Sequence, residues 1–291
     1  MRRLAYLPVV FGIAAIVLGA PPAWAQTRAT PTTEAAPAAP APQTASEPDA
    51  RSDAATAAAP GPVLFVLDSS RRIALVNVGS LKVRLIGRLG LPMTDIAFNP
   101  IDKKLYGISY STLYRISTSD FSAVKVASLG VTDANALVFD SAGTAYFAGY
   151  QRNRLYKVNI ATKRVTIVGL TGPYYSAGDL TFYNDRLVMS AVKTTNPNNS
   201  TANYLVTLNT ANAAVVGQPV VLGIHNVYGL ASTGKNELYG LATIGTSNTP
   251  ALYQLFPSAA SVPNRDTLLR NLSGTGLSLV IGTAYNGNFQ P

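Results

Sequence analysis

A block of four short apolar segments recurs along the chain, and this repetition limits the fold more than any other sequence feature. The block is clearest from Thr94 to Gly130, where it reads TDIAFNP, KKLYGIS, STLYRIS and FSAVKVASLG. Each segment is rich in Val, Ile, Leu and Tyr and is bounded by Gly, Asn, Asp or Ser, which is the pattern of a β-strand. Since no stretch shows sustained 3.6-residue spacing, we expect almost no helix.

The copies of the block follow one another at a regular interval. Phe98 lies in the first segment, and the equivalent residues Phe139, Phe182, Ser232 and Tyr285 follow in steps of 41, 43, 50 and 53 residues. Each of the other three segments also occurs five times. Four strands in a unit of about 40 to 50 residues are typical of a β-propeller blade.

The first repeat lacks one segment, and the C-terminal end of the chain supplies it. The N-terminal unit begins at Leu64 with its second segment, and the fifth copy of the first segment is Gly282–Asn286. We therefore predict an all-β fold, a single β-propeller of five four-stranded blades, closed by the C-terminal strand joining the N-terminal blade. The predicted blades span 62–90 with 278–288, 91–130, 131–170, 171–223 and 224–277.

The repeated pattern DIAFNP, KLYGIS, LYRIS and LG resembles that of bacterial exported β-propellers of the WD40/YVTN-like class. That class includes LYGL-type repeat propellers of unknown function. The resemblance covers about residues 62–288 and implies a closed propeller. The Gly-His and Trp-Asp signatures of true WD40 repeats are missing, because the single tryptophan, Trp24, precedes the repeats.

The N-terminal quarter of the chain differs from the repeats. Residues 1–25 have the pattern of a secretory signal peptide, with Arg2 and Arg3, an apolar stretch and an A-x-A site ending at Ala25. We expect cleavage after Ala25 and export to the periplasm or the extracellular space. An uncleaved anchor is the alternative, although the apolar stretch is shorter than the ~20 residues that span a bilayer. Residues 26–61 lack aromatic and large aliphatic residues, which predicts a disordered linker before a propeller domain at 62–291.

The cysteine content and the net charge indicate how the domain is stabilised and which kinds of partner it attracts. The chain has no cysteine, so an exported domain must be held by its core alone. From Pro62 onward there are 19 Lys and Arg residues against 10 Asp and Glu residues. A basic exported domain attracts polyanions such as anionic glycans or envelope polymers, and an envelope protein is a further possible partner. We expect no nucleic acid as partner outside the cell.

Two sets of loops are expected to surround the opening of the ring, namely those entering each first strand and those joining second to third strands. These loops carry tyrosines, whose faces stack on sugar rings or peptide groups while the hydroxyl forms hydrogen bonds. The predicted ligand-binding residues are Tyr110, Asn135, Tyr150, Arg152, Tyr174, Tyr175, Asp179, His225, Asn226 and Tyr228.

The repeats contain few residues that could form a catalytic or metal site. Asp95 and Asp179 precede two first strands at equivalent positions and could do acid–base work, or each could cap a turn. Glu237, the one glutamate of the domain, begins a second strand at the opposite face, which disfavours a glycoside hydrolase. His225 is the only histidine and cannot build a multi-histidine zinc site. Calcium at Asp95, Asp133 or Asp179 stays open, although no D-x-D-x-D-G loop is present.

We therefore assign no catalytic residue, no metal and no cofactor from the sequence. The favoured function is an exported, non-catalytic propeller that binds a glycan, a cell-envelope polymer or a protein partner at its loop face. One alternative is a carboxylate-dependent polysaccharide hydrolase or lyase that uses Asp95 and Asp179. Another is a structural scaffold of an envelope assembly.

Overall fold

The computed structural model describes residues 61–195, 203–234, 236–244, 248–257 and 266–287. All of them belong to one compact unit, Ala55–Pro291. The predicted signal peptide and nearly all of the predicted linker lie outside the described residues. Within the described ranges the chain forms twenty strands, and no helix there is long and apolar enough to cross a membrane.

The strands form five antiparallel sheets of four strands, and in every sheet the strand nearest the axis is named first. Blade 1 consists of β20 (Val280–Tyr285), β1 (Val63–Asp68), β2 (Arg72–Asn77) and β3 (Val83–Arg88). Blade 2 consists of β4 (Asp95–Phe98), β5 (Leu105–Ile108), β6 (Thr112–Ile116) and β7 (Ala123–Ser128). Blade 3 consists of β8 (Ala134–Phe139), β9 (Ala145–Gly149), β10 (Arg154–Val158) and β11 (Val165–Leu170). Blade 4 consists of β12 (Tyr174–Tyr183), β13 (Arg186–Lys193), β14 (Tyr204–Leu208) and β15 (Val220–Val221). Blade 5 consists of β16 (His225–Gly234), β17 (Glu237–Thr243), β18 (Pro250–Leu255) and β19 (Thr267–Asn271).

The predicted closure of the ring is confirmed. The C-terminal strand β20 pairs antiparallel with β1, from Leu64 opposite Tyr285 to Leu67 opposite Gly282. This pairing covers the edge of β1, which would otherwise present unpaired backbone groups. The prediction of an all-β propeller with five four-stranded blades is confirmed as well.

The core lies between the blades. Five apolar clusters fill the five contacts between neighbouring blades, one cluster for each contact. Every residue of β1 is buried, because both faces of its sheet pack on a neighbour. This packing explains why many repeats read as continuous apolar runs, and each fully buried Leu, Ile or Phe contributes roughly 1.5–3 kcal/mol.

The innermost strands β4, β8, β12, β16 and β20 surround the axis and position the site. We call the end of the ring where the chain enters these strands the upper face, and the other end the lower face. Bulges between Ser176 and Leu180 and between His225 and Gly229 interrupt the pairing of the two ten-residue strands β12 and β16. A bulge adds residues without ending a strand.

The extended strands correct one part of the prediction. Seven predicted ligand-binding residues that the sequence pattern places in loops lie within the innermost strands instead, namely Asn135, Tyr174, Tyr175, Asp179, His225, Asn226 and Tyr228. Pairing continues beyond the bulges toward the upper face, so the strands begin earlier than the apolar runs suggest.

Candidate functional site

A recess of about 530 Å³ opens at the upper face and is built from all five blades. Most of its wall is apolar, and none of the described residues that line it carries a charge. The described residues that line it are Ser69, Pro92, Met93, Thr94, Ser109, Tyr110, Asn135, Tyr150, Ala177, Gly178, Tyr228, Leu279 and Ile281. Four of the predicted ligand-binding residues, Tyr110, Asn135, Tyr150 and Tyr228, therefore come together in one place.

Two tyrosines form an exposed pair at the rim of the recess. Tyr110 lies between β5 and β6, Tyr150 follows β9, and their ring centroids are 5.7 Å apart at 62°. Tyr110 is 53% exposed and Tyr150 is 39% exposed. Partial burial, then the neighbouring Tyr110 and Asp133, raises the pKa of Tyr150, so its hydroxyl stays a hydrogen-bond donor. The pair offers ring faces and hydroxyl groups to a ligand.

A third tyrosine lies deeper in the recess, at the bulge of β16. The Tyr228 hydroxyl donates to Asn226 Oδ1 at 3.1 Å, and the Asn226 amide donates to Thr243 Oγ1 at 3.0 Å. Burial raises the pKa of Tyr228. Opposite it lies Gly178, where a Cβ would be 2.6 Å from the Tyr228 Cα. The close approach of the two bulges therefore requires glycine at position 178 and fixes this part of the wall.

Asn135 supplies an acceptor to the wall of the recess. Its amide nitrogen donates to the Ser176 carbonyl at 3.4 Å. Its Oδ1 atom is buried and has no hydrogen-bond partner among the described residues. A buried acceptor without a donor costs about 1–3 kcal/mol, so a small shift that admits a donor to this atom would recover part of that cost.

Two aspartates form the floor beneath the recess. Asp95 of β4 is fully buried and accepts the backbone N–H of Ile96 at 2.7 Å and that of Leu137 at 2.6 Å. Leu137 belongs to β8, so this one side chain ties blade 2 to blade 3. Asp95 therefore does more than cap its own turn, because its carboxyl group also accepts a hydrogen bond from the next blade.

Asp179 of β12 makes the same kind of contacts from blade 4 and adds a third. It accepts the N–H groups of Leu180 and Leu230, each at 2.6 Å, and the hydroxyl of Thr283 at 2.9 Å. Leu230 lies in β16 and Thr283 in β20. Asp95 and Asp179 together therefore hold the innermost strands of all five blades.

The two carboxyl groups lie close enough across the axis to affect each other's ionisation. Burial, followed by the charge of Asp179, raises the pKa of Asp95 well above its usual range. Burial also raises the pKa of Asp179. Two buried carboxylates this close cannot both be charged, so the pair retains a proton at neutral pH.

Small residues at the same level of the ring make room for the carboxyl pair. The three equivalent positions are occupied by Ala136, Gly229 and Gly282, and a Cβ on Gly282 would lie 2.5 Å from Asp95 Oδ1. In the innermost strands, the residues that line the recess come before this level in the sequence. The residues that line a second cavity, of about 150 Å³ at the lower face, come after it. The carboxyl pair thus separates the recess from the lower cavity.

Other predicted residues lie outside the recess. Arg152 forms an ion pair with the buried Asp133, which also accepts the N–H of Gln151 at 3.2 Å. Tyr174 is buried between blades 3 and 4, where its ring centroid lies 5.5 Å from that of Tyr204.

Neither Tyr175 nor His225 lines the recess, and His225 Nδ1 is buried without a described partner. Glu237 begins β17 at the lower face, as predicted, and accepts the Thr233 hydroxyl at 2.6 Å. Within the described ranges, no three His, Asp or Glu side chains lie close enough to hold a metal ion.

Sequence reasoning missed the apolar part of the wall. Met93, Ala177 and Ile281 do not stand out in the sequence, because an apolar residue beside a strand is usually a core residue. Gly178 was also missed. A glycine inside a strand pattern is a signal for a bulge or a close backbone approach, and it could have identified this position.

Comparison with known proteins supports the fold. The sequence matches no protein-family model and no curated protein. A chain from a crystal structure of a nidogen/laminin complex is similar at 13% identity, with a TM-score of 0.52, over 79% of this chain and 100% of that one. At this identity the likeness extends to the fold alone, and a propeller is consistent with a binding scaffold.

Two further structures are similar at lower scores. A chain from the hydrazine synthase of Kuenenia stuttgartiensis shares 14% identity over 69% of this chain and 64% of that one, with a TM-score of 0.43. A chain from a structure on the de novo evolutionary emergence of a symmetrical protein shares 15% identity over 78% and 94%, with a TM-score of 0.44.

Proposed function

We propose that this protein is an exported, non-catalytic binding protein that holds an uncharged glycan segment in the upper recess. The observation that carries the proposal is the exposed Tyr110–Tyr150 pair at the rim of a recess without charged side chains. Tyrosine faces stack on the apolar faces of sugar rings, and hydroxyl and amide groups bind their hydroxyls. The hydroxyls of Ser69, Thr94 and Ser109 supply such groups.

The dimensions of the recess support a ligand larger than a single ion. Its volume of about 530 Å³ falls in the ~300–1,000 Å³ range of small-molecule sites. A mostly apolar wall with a few polar groups is the usual composition of such sites. The charge of the domain favours anionic partners in general, but the uncharged wall favours a neutral ligand within the recess itself.

The position of the carboxyl pair supports binding without catalysis. Both oxygens of Asp95 and both oxygens of Asp179 already accept backbone N–H groups. Both side chains are fully buried beneath the recess. A general acid or base must reach the proton that it transfers, and these contacts hold the two carboxyls in a structural role instead.

Replacing both rim tyrosines with alanine is expected to weaken glycan binding about thirtyfold. Two lost stacking contacts of roughly 1 kcal/mol each amount to ~2 kcal/mol, and ~1.4 kcal/mol corresponds to a factor of ten. An array of neutral and anionic oligosaccharides, followed by calorimetry on the tightest binder, measures the effect. Tyr175→Ala is the matched control, because it removes a partly buried tyrosine that does not line the recess.

Equal losses in the control and in the Tyr110→Ala, Tyr150→Ala double variant would contradict this site. An array without any binder, together with capture of an envelope protein through the same two tyrosines, would favour a protein ligand instead.

One observation favours a competing function. Two carboxyl groups with raised pKa values lie beneath a recess, as in enzymes that use a carboxyl pair for acid–base chemistry. A hydrolase or lyase of this kind would release new reducing ends from a polysaccharide, and Asp179→Asn would abolish the release while the protein stays folded. The binding proposal expects no release by the wild-type protein.

A further inference from the structure

A second cavity lies on blade 2, away from the recess, and we call it the blade 2 groove. It has a volume of about 450 Å³ and runs along the lower part of β6, between the β4–β5 turn and the β6–β7 turn. Three cations and three hydroxyl groups line it, contributed by Lys103, Lys104, Arg115, Ser117, Thr118 and Ser122. No carboxylate is among the described residues that line it.

The strands of blade 2 bring these groups together. Arg115 lies opposite Tyr106 on β5 and opposite Val124 on β7, and its side chain is exposed. Lys103 occupies the tight β4–β5 turn with φ of 57°, and its N–H donates to the Asn99 carbonyl at 3.0 Å. The turn therefore places two consecutive lysines beside an arginine that comes from a different strand.

The three cations have no carboxylate partner among the residues that the structure describes. The described residues form only two ion pairs, Asp68–Arg72 and Asp133–Arg152, and both lie toward the upper face. Cations without partners along one groove attract an anion from solution.

The nearest carboxylates are turned to local donors. Asp102 accepts the Tyr106 hydroxyl at 2.7 Å and the Lys104 N–H at 3.1 Å. Asp120 accepts the N–H of Ser122 at 3.1 Å and its hydroxyl at 2.9 Å. These two carboxylates reduce the local positive charge but do not neutralise the groove by direct pairing.

We propose that the blade 2 groove binds a phosphate group, either free or carried on a polymer. A phosphate group offers several acceptor oxygens and up to two negative charges, which the two ammonium groups, the guanidinium group and the hydroxyls other than that of Ser122, which donates to Asp120, can satisfy together. A carboxylate has only two oxygens and one charge and leaves part of this donor set unused. The site is independent of the upper recess and of the ligand proposed for it.

Calorimetric titration with inorganic phosphate and with tripolyphosphate tests the site on the full chain. The wild-type protein is expected to bind tripolyphosphate in the micromolar to millimolar range, and the Lys104→Ala, Arg115→Ala double variant at least tenfold more weakly. Arg154→Ala, Lys157→Ala on blade 3 is the matched control, because it removes the same charges from two exposed positions of β10 outside the groove. The control is expected to bind within about twofold of the wild type.

The affinities of the two probes for the wild type and the variants show whether the phosphate is free or polymer-borne, and whether the proposal is wrong. Tripolyphosphate binding far tighter than that of inorganic phosphate indicates a polymer-borne ligand, and equal affinities per phosphate group indicate a free one. Equal weakening in both double variants would show a diffuse charge effect and overturn the proposal. It would also be overturned by the absence of binding at millimolar concentration, or by tighter binding of a trigalacturonate probe, which carries carboxylates.

Discussion

Asp179→Ala is expected to lower the free energy of unfolding by about 4 kcal/mol. The substitution removes the acceptor of the Leu180 and Leu230 N–H groups and of the Thr283 hydroxyl. Each buried donor left without a partner costs about 1–3 kcal/mol, and part of this cost is recovered where the site relaxes. Urea unfolding, followed by far-UV circular dichroism, measures the change.

A surface aspartate provides the reference for this result. Asp120 is exposed and contacts only its own turn, so Asp120→Ala is expected to cost less than about 1 kcal/mol. If Asp179→Ala were no more destabilising than Asp120→Ala, the carboxyl pair would not hold the blades together.

The stability of the protein is expected to fall as the pH rises from about 4 through neutrality. In the unfolded chain both carboxyls ionise near their usual pKa of about 4, whereas burial raises the pKa of Asp95 and of Asp179 in the folded protein. The folded state therefore binds more protons than the unfolded state above pH 4. The stabilisation is complete below that pH and is lost by up to about 1.4 kcal/mol per pH unit for each retained proton, until the raised folded pKa is passed.

A variant with one carboxyl isolates this effect from other titrations. Asp95→Asn removes the neighbouring charge from Asp179, so its stability is expected to depend less steeply on pH between about 5 and 8 than that of the wild type. The difference between the two unfolding profiles over this range is the measured quantity. Parallel profiles would mean that the pair does not share a proton.

The architecture could be predicted because its signals are local and repeated. Most strand-forming segments, such as Leu105–Ile108, end at glycine, asparagine, aspartate or serine, so the four-strand period is visible without tertiary information. The closure could also be predicted, because the first unit lacks a strand that the last residues supply, and an uncovered edge is unfavourable.

The candidate site was predictable only in part, because its geometry depends on contacts between blades. The bulge between Ser176 and Leu180 is marked only by Gly178, which does not show where the strand begins, so the pattern places the residues near it in loops. Asp95 and Asp179 occupy equivalent repeat positions, but their sequence separation does not show that they meet across the axis. That meeting requires the small side chains at the other three positions of the same level.

Two further residues show why a polar or aromatic side chain predicted to contact a ligand can instead contact another part of the protein. The sequence position of Arg152 near the opening suggests ligand contact, but the buried Asp133 takes its guanidinium group. Tyr174 resembles a loop tyrosine in the sequence, but its ring packs between two blades. In both cases the competing partner comes from a distant part of the chain or from packing that a linear pattern does not contain.

Hydrogen–deuterium exchange with and without the neutral oligosaccharide that binds most tightly tests the proposed recess most directly. The proposal predicts slower exchange on binding at residues 109–111, 150–153 and 226–228, which form the upper rim and the β16 bulge. Exchange in the outermost strands and in the lower-face turns is expected to stay unchanged. Protection confined to those outer strands or lower turns, with no change at the upper rim, would contradict the central claim that the ligand lies above the Asp95–Asp179 pair.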